Sequence, residues 1–230
     1  MTAAEEPKSE ESPNNTPSEV EPTENYTLYY FDAMGRAEPI RLLLNHAGVN
    51  FTDKKFNRSE WGSNKSSMPG KKVPVLQLDD GTKIGQSISI LRFLGKKYGY
   101  YPEDPLEAHK VDYLIDCYND KFLGIALNSA LPPQLLEAPF SVPSNKAIPE
   151  WLDFLEPYLS EGQFLCGEKL TIADFLIGGL YVNTIINDKA LFGKEKWNDL
   201  LKQYPNFKNY GERFREANKV YLDKRGFSKF

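Results

Sequence analysis

Lys72-Val73-Pro74-Val75-Leu76, followed by Gly85-Gln86-Ser87, is the stretch whose residue types and spacing could do chemistry. A proline interrupts an apolar run that otherwise reads as a buried strand. Proline cannot donate to a sheet ladder and is confined to edges, strand starts and bulges. If the bond before it is cis, the N–H and C=O of Val73 turn outward, free to pair with the backbone of a bound peptide. Gln86-Ser87 then opens a helical pattern. A helix start offers free N–H groups and a positive dipole end, which suit a carboxylate. That combination is the chemistry of a site for a small anionic peptide. The same residues also fit an edge strand followed by an ordinary serine-capped helix, and the stretch alone does not choose between the two.

The elements that must position these groups can be followed along the chain. Tyr26-Thr27-Leu28-Tyr29-Tyr30-Phe31 is aromatic and β-prone and predicts a strand. Ile40, Leu43, Leu44 and Ala47 lie at helical spacing after a loop at Asp32-Ala33-Met34-Gly35, with Gly48 as the stop. Residues 51–56 fit a second strand, and 58–72 read as a polar, irregular crossing that contains Trp61. Residues 73–78 and 82–84, joined by Asp79-Asp80-Gly81, predict a hairpin. Residues 86–98 predict a helix with Ile88, Ile90, Leu91 and Leu94 inward. The order is β-α-β, a crossing, then β-β-α, an α/β unit of about 75 residues, near the size where a lone domain is marginal.

From Pro105 onward the pattern is helical only. Val111, Leu114, Ile115, Tyr118, Phe122 and Ile125 form a long apolar face that Pro132-Pro133 ends or bends. Residues 148–159 predict another helix. Thr171-Ile172-Ala173-Asp174 resembles a capping box opening an apolar helix through Ile186, and is read as a stability device. A last helix is expected over 207–215. Residues 1–25 hold seven glutamates against one lysine, with four prolines and almost no large apolar side chain. Such a segment cannot bury enough surface to offset its chain entropy, which predicts a disordered acidic tail.

The bulk composition excludes several functions. Of 230 residues, 40% are hydrophobic and 26% charged, as in an ordinary soluble protein. The net charge of −4 gives no footprint for nucleic acid. No apolar run is long enough to span a bilayer. Cys117 and Cys166 lie far apart, form no metal spacing, and fit buried free thiols in a reducing, cytoplasmic compartment. His46 and His109 form no catalytic or metal pair. No Cys-x-x-Cys motif supports redox chemistry.

Taken together, these residues resemble a cytosolic glutathione transferase, most closely the sigma class, which includes the glutathione-dependent prostaglandin D synthase. The resemblance covers residues 26–220. It is carried by Tyr26-Thr27-Leu28-Tyr29-Tyr30-Phe31 with Met34-Gly35-Arg36-Ala37-Glu38, by Trp61, Lys65 and Lys72, by Val73-Pro74, by Gln86-Ser87, and by Asp120. It implies a thioredoxin-like α/β domain over 26–101, with a mixed four-stranded sheet and a cis proline, and an all-helical domain over 105–230. It implies Tyr30 as the catalytic tyrosine, and Arg36 as its electrostatic helper through cation–π contact with the phenol. Trp61, Lys65 and Lys72 would hold the glycyl carboxylate of glutathione, and the Val73 backbone the cysteinyl segment. Ser87 and Gln86 would hold the γ-glutamyl end, with Asp120 of a partner subunit facing the ammonium. It also implies a homodimer, with glutathione as co-substrate and no cofactor or metal.

Strand alternation puts Tyr29 and Tyr30 on opposite faces, so only one can serve the site. The resemblance selects Tyr30. An electrophile pocket would be lined by Phe31, Met34, Arg36 and the helix near Leu127. The prostaglandin synthase carries tryptophan near Leu127, and Asn119 stands where its metal-binding acidic cluster would have another aspartate beside Asp116 and Asp120. Both departures count against prostaglandin isomerisation. The stretch from Leu131-Pro132-Pro133 to Ser144 is unlike the family's usual helix connection. The expected activity is conjugation of glutathione to small apolar electrophiles. The alternatives are a glutathione-dependent lipid isomerase and a non-catalytic relative comparable to the lens crystallins.

Overall fold

A computed structural model describes residues 25–128, 147–187 and 194–225; side chains at 58, 121–128, 147 and 194–196 lie outside the description. The acidic segment 1–24 and the proline-rich stretch 131–144 also fall outside it.

β1 (Tyr26–Phe31) is the central strand from which the first domain is built. Its period-2 alternation buries Tyr26 and Leu28 on one face, against the helices, and leaves Tyr29 half-buried on the other. Four strands pair in the order β2-β1-β3-β4. β2 (Phe51–Phe56) runs parallel to β1, with Tyr26 opposite Phe51 and Phe31 opposite Phe56. β3 (Val75–Gln77) is antiparallel to β1, with Leu28 opposite Leu76, and β4 (Lys83–Gly85) is antiparallel to β3. The parallel pair is joined through α1 (Glu38–His46), as a crossover connection requires. The unit is the mixed-sheet, thioredoxin-like domain. The crossing expected to be irregular contains a short helix, α2 (Arg58–Asn64). Its start is fixed by a reciprocal cap: Asn57 Oδ1 accepts the Glu60 N–H at 2.9 Å, and Glu60 Oε2 accepts the Asn57 N–H at 2.9 Å. Seven residues with Trp61 as their one large apolar side chain carry no apolar period, so only the Asn57-x-x-Glu60 cap marked it.

α3 (Ser87–Tyr98) packs beside α1 on the same face of the sheet. The helical domain follows: α4 (Pro105–Asn128), α5 (Ala147–Ser160), α6 (Ile172–Leu180), α7 (Lys194–Leu201), α8 (Pro205–Ala217) and α9 (Lys219–Arg225). α6 is its axis, with residues 172–179 all buried. The capping box at its start exists: Asp174 accepts Thr171 N–H at 2.7 Å, Thr171 Oγ1–H at 2.9 Å and Leu165 N–H at 3.0 Å. The helix expected to continue to Ile186 changes hand-hold after Leu180, where Tyr181–Ile185 form a single π-helical turn.

One apolar core runs through both domains, from Leu28 and Leu43 to Phe175, Phe207 and Phe214. The domains dock because α3 presents a glycine where α6 approaches. A Cβ on Gly95 would lie 2.4 Å from Ile172 Cγ2, so a side chain there would force the domains apart. Ile172 N–H donates to the Tyr100 carbonyl at 3.0 Å, and His46 Nδ1 lies 2.7 Å from Tyr100 Oη. Among the described residues no helix is long and apolar enough to cross a membrane.

Candidate active site

The segment around Pro74 and the start of α3 enclose a cleft of about 260 Å³. It is lined by Arg36, Lys72, Val73, Gln86 and Ser87, with Pro69, Gly70, Pro74 and Gly85. The Val73–Pro74 bond is cis. The ladder begins at Val75, so the backbone polar groups of Val73 lie ahead of it, beside the cleft. Gln86 is held at φ 71° and ψ 112°, a region that a residue with a side chain rarely adopts. Such a backbone costs on the order of 1–3 kcal/mol and persists where the surroundings impose it. Its consequence is visible in the helix. Gln86 occupies the cap position without a side-chain cap bond, so Ser87 is the first helical residue rather than the cap. The leading N–H groups of α3 have no intrahelical acceptor and open on the cleft.

Tyr30 meets the cleft through Arg36, whose backbone N–H donates to Tyr30 Oη at 3.1 Å. Gly35 makes that approach feasible. It sits at φ +41°, and a Cβ there would lie 2.6 Å from Tyr30 Oη. The guanidinium over the Tyr30 ring is not that of Arg36. It belongs to Arg41, at 5.9 Å from the ring centre. Arg36 lies in the turn Gly35–Ala37, which directs its side chain outward into the cleft, whereas α1 carries Arg41 inward under the tyrosine. The positive charge of Arg36 also reaches across to α4. Burial raises the Tyr118 phenol and Arg36 lowers it, and burial wins, leaving it at about 12.

Arg41 is buried and organises the loop above it. Nη1 is within hydrogen-bond distance of the Ala33 carbonyl (2.9 Å), the Met34 carbonyl (3.3 Å) and Glu38 Oε2 (3.1 Å). Nε and Nη2 donate to the two carboxylate oxygens of Asp53 at 3.0 and 3.3 Å. Burial opposes the charge on Arg41, yet Asp53 and Glu38 together raise its pKa above the usual arginine range. Glu38 carried no assigned role in the sequence, and Arg41 and Asp53 were not singled out there. The available signal was an opposite-charge pair at i,i+3 in a helix whose other residues from 39 to 44 are apolar.

The other expected site residues are dispersed. Trp61 stands on α2, half-buried, edge-on to Phe31 at 5.5 Å and tilted against Phe56 at 6.1 Å. Lys65 is exposed at the start of the following turn, and neither it nor Trp61 lines the cleft. Phe31 lies between the rings of Tyr30 and Trp61. Met34, expected at the electrophile pocket, is only 7% exposed. Its sulfur lies 3.2 Å from Arg225 Nη1 on α9, which covers it. Asp120 is exposed on α4, and Leu127 lies on the same helix with its side chain outside the described residues. Tyr29 faces away from the cleft, stacked on Phe56 at 5.9 Å, with its hydroxyl donating to Gln77 at 2.9 Å. Among the described residues no cluster of three His, Cys, Asp or Glu side chains could hold a metal ion.

Residues 26–96 match the family model described as Glutathione S-transferase, N-terminal domain, and residues 140–225 match Glutathione S-transferase, C-terminal domain. Glutathione S-transferase S1 of Drosophila melanogaster is 34% identical over 186 residues, which cover 79% of this chain and 70% of that protein. S-crystallin SL20-1 of Nototodarus sloanii is 29% identical over 189 residues, covering 73% and 85% respectively. The solved structure of prostaglandin synthase D of Nilaparvata lugens superposes with a TM-score of 0.72 at 28% identity, over 88% of this chain and 98% of that one. The thioredoxin-like domain with its cis proline and the helical domain docked on it each match the same family, in order: the chain belongs to the glutathione S-transferase family.

Proposed function

We propose that this protein is a sigma-like glutathione transferase that conjugates the glutathione thiolate to small apolar electrophiles. The observation that carries the reading is the Arg36 N–H on Tyr30 Oη, because it sets a tyrosine hydroxyl beside a cleft whose opposite wall is the open start of α3. The γ-glutamyl carboxylate of glutathione fits the α3 N–H groups and Ser87, with Gln86 beside it. The cysteinyl segment fits the Val73 backbone as an added strand. Lys72 offers the glycyl carboxylate a cation in the cleft, and Lys65 and Trp61 would have to reach it from α2 and the turn after it. Asp120 would act from a partner subunit in a cytoplasmic homodimer.

The chemistry then needs a thiolate. A free thiol has a pKa near ~8.5, and lowering it by two units takes roughly 2.7 kcal/mol of preferential thiolate stabilisation. Tyr30 O–H donates to the sulfur. The Arg36 N–H, by donating to the same oxygen, makes that O–H a stronger donor. Arg36 and Arg41 add positive potential. The thiol proton leaves to solvent. The sulfur lone pair forms the new carbon–sulfur bond, and the leaving group departs with its electron pair. Glutathione is the co-substrate, and the steps call for no resident cofactor or metal.

A structural, crystallin-like role is the second reading, favoured by the S-crystallin relatives. Leu127 and Asn119 speak against prostaglandin isomerisation. Conjugation to an aryl halide, measured beside glutathione binding, decides between them. Turnover above the uncatalysed rate supports the transferase. Glutathione binding without turnover supports the structural reading.

A further inference from the structure

The far end of the chain closes on the loop that carries Arg36. Arg225 on α9 is 8% exposed at its side chain and pairs with Glu38, itself 1% exposed. Arg225 Nη1 also donates to Asn183 Oδ1 at 2.8 Å, in the π-helical turn after α6, and touches Met34 Sδ at 3.2 Å. Tyr221, one turn earlier on α9, donates from its hydroxyl to the same Glu38 oxygen at 2.9 Å. The other Glu38 oxygen accepts from Arg41, which holds the Ala33 and Met34 carbonyls and lies under the Tyr30 ring.

The geometry points to Arg225, assisted by Tyr221, as a positioning residue for the Tyr30 hydroxyl. It acts through Glu38 and Arg41 on the loop 33–36, and it keeps the charge beneath the tyrosine balanced. This rests on the reading of Tyr30 as the thiolate stabiliser. Two guanidinium groups, Arg41 and Arg225, face two carboxylates, Glu38 and Asp53, so the set is neutral. Without Arg225 the buried Glu38 carboxylate keeps Arg41 and Tyr221 but loses one of its two guanidinium partners, and the set turns negative beside the site where a second negative charge must form. Glu38 is then free to draw Arg41 away from the Ala33 and Met34 carbonyls. The loop that presents the Arg36 N–H loses its anchor. The other charged and titratable groups around this loop are Arg36 itself, Tyr118 on α4, and the exposed Asp32–Lys55 pair.

The test reads the ultraviolet absorbance of the bound glutathione thiolate against pH, for the full chain and its variants, with thermal unfolding and glutathione affinity alongside. Arg225→Met is expected to raise the ionisation midpoint by about one unit, roughly tenfold less thiolate at the lower pH, with affinity within about threefold. Arg225→Lys keeps the charge and is expected to shift it less, and it remains informative if the methionine variant fails to fold. Adding Glu38→Gln to Arg225→Met restores neutrality and is expected to bring the midpoint back toward wild type, which a purely structural strut would not do. Val220→Ser, an exposed change on the same helix, serves as the control. Lowered thermal stability with an unshifted midpoint in the arginine variants would overturn the inference alone. No thiolate below the free thiol's range in wild type would overturn the function reading as well.

Discussion

The two ends of the cleft are built in different ways. At the end formed by Val73-Pro74 and Gln86-Ser87, backbone does the work. A cis bond turns Val73 off the ladder, and a positive-φ residue opens the start of α3. The groups involved lie within 15 positions of one another, from 73 to 87. At the Tyr30 end, side chains do the work. The hydroxyl is held by a loop, the loop by Arg41, Arg41 by Glu38 and Asp53, and Glu38 by Tyr221 and Arg225, 183 and 187 positions away. The first end lies wholly within the thioredoxin-like domain. The second takes in Tyr221 and Arg225 from the helical domain, so on the proposed reading recognition and activation of the thiol are separable properties of the same cleft.

That separation can be broken first at Gly35. Gly35→Ala places a methyl group against Tyr30 Oη in a backbone region that penalises it. Stability should fall by about 1–3 kcal/mol. Conjugation should fall by roughly tenfold or more as the Arg36 N–H is displaced, while glutathione affinity, set at the other end, changes by no more than about threefold. Kinetics and binding on the same preparation check this; equal losses in both would mean that the two ends are one unit.

The smaller effect comes from the opposite end. Gln86→Gly relieves the φ of 71° and should leave the protein as stable or more so by about 1 kcal/mol. Glutathione affinity should drop several-fold with the lost side chain. The ionisation midpoint of the glutathione that still binds should not move. Chemical unfolding and the thiolate titration read the two parts separately, and a shifted midpoint would show that α3 also tunes the thiol.

The same contrast explains what could be read from the chain. β1, the Val73-Pro74 bend and the Thr171–Asp174 cap were legible because each is a local pattern with a local cause: alternation, a missing donor, a reciprocal cap. α2 and α9 were not, since each is a seven-residue helix with too few apolar positions to show a period. The π-helical turn was hidden because the apolar pattern of Tyr181–Ile185 is the same whether the turn is α or π. It nevertheless sets Asn183 against Arg225. Arg41 was not singled out in the sequence. Its role depends on Asp53 across the sheet and on Glu38, whose other partners belong to α9. The assignment of a cation to the Tyr30 ring was right in kind and wrong in residue. The resemblance implied Arg36, whereas the guanidinium over the ring is that of Arg41 and Arg36 lies in the turn Gly35–Ala37.

The most direct measurement is the pH titration of the bound glutathione thiol in wild type and Tyr30→Phe. Ionisation well below ~8.5 is expected in wild type if Tyr30 stabilises the thiolate. In the variant the midpoint is expected to move up by about one to two units, a loss of charge-assisted hydrogen bonding worth roughly 1.5–3 kcal/mol. Equal midpoints in the two proteins would contradict a role for the Tyr30 hydroxyl, and would place the source of thiolate stabilisation in Arg36 or the α3 dipole.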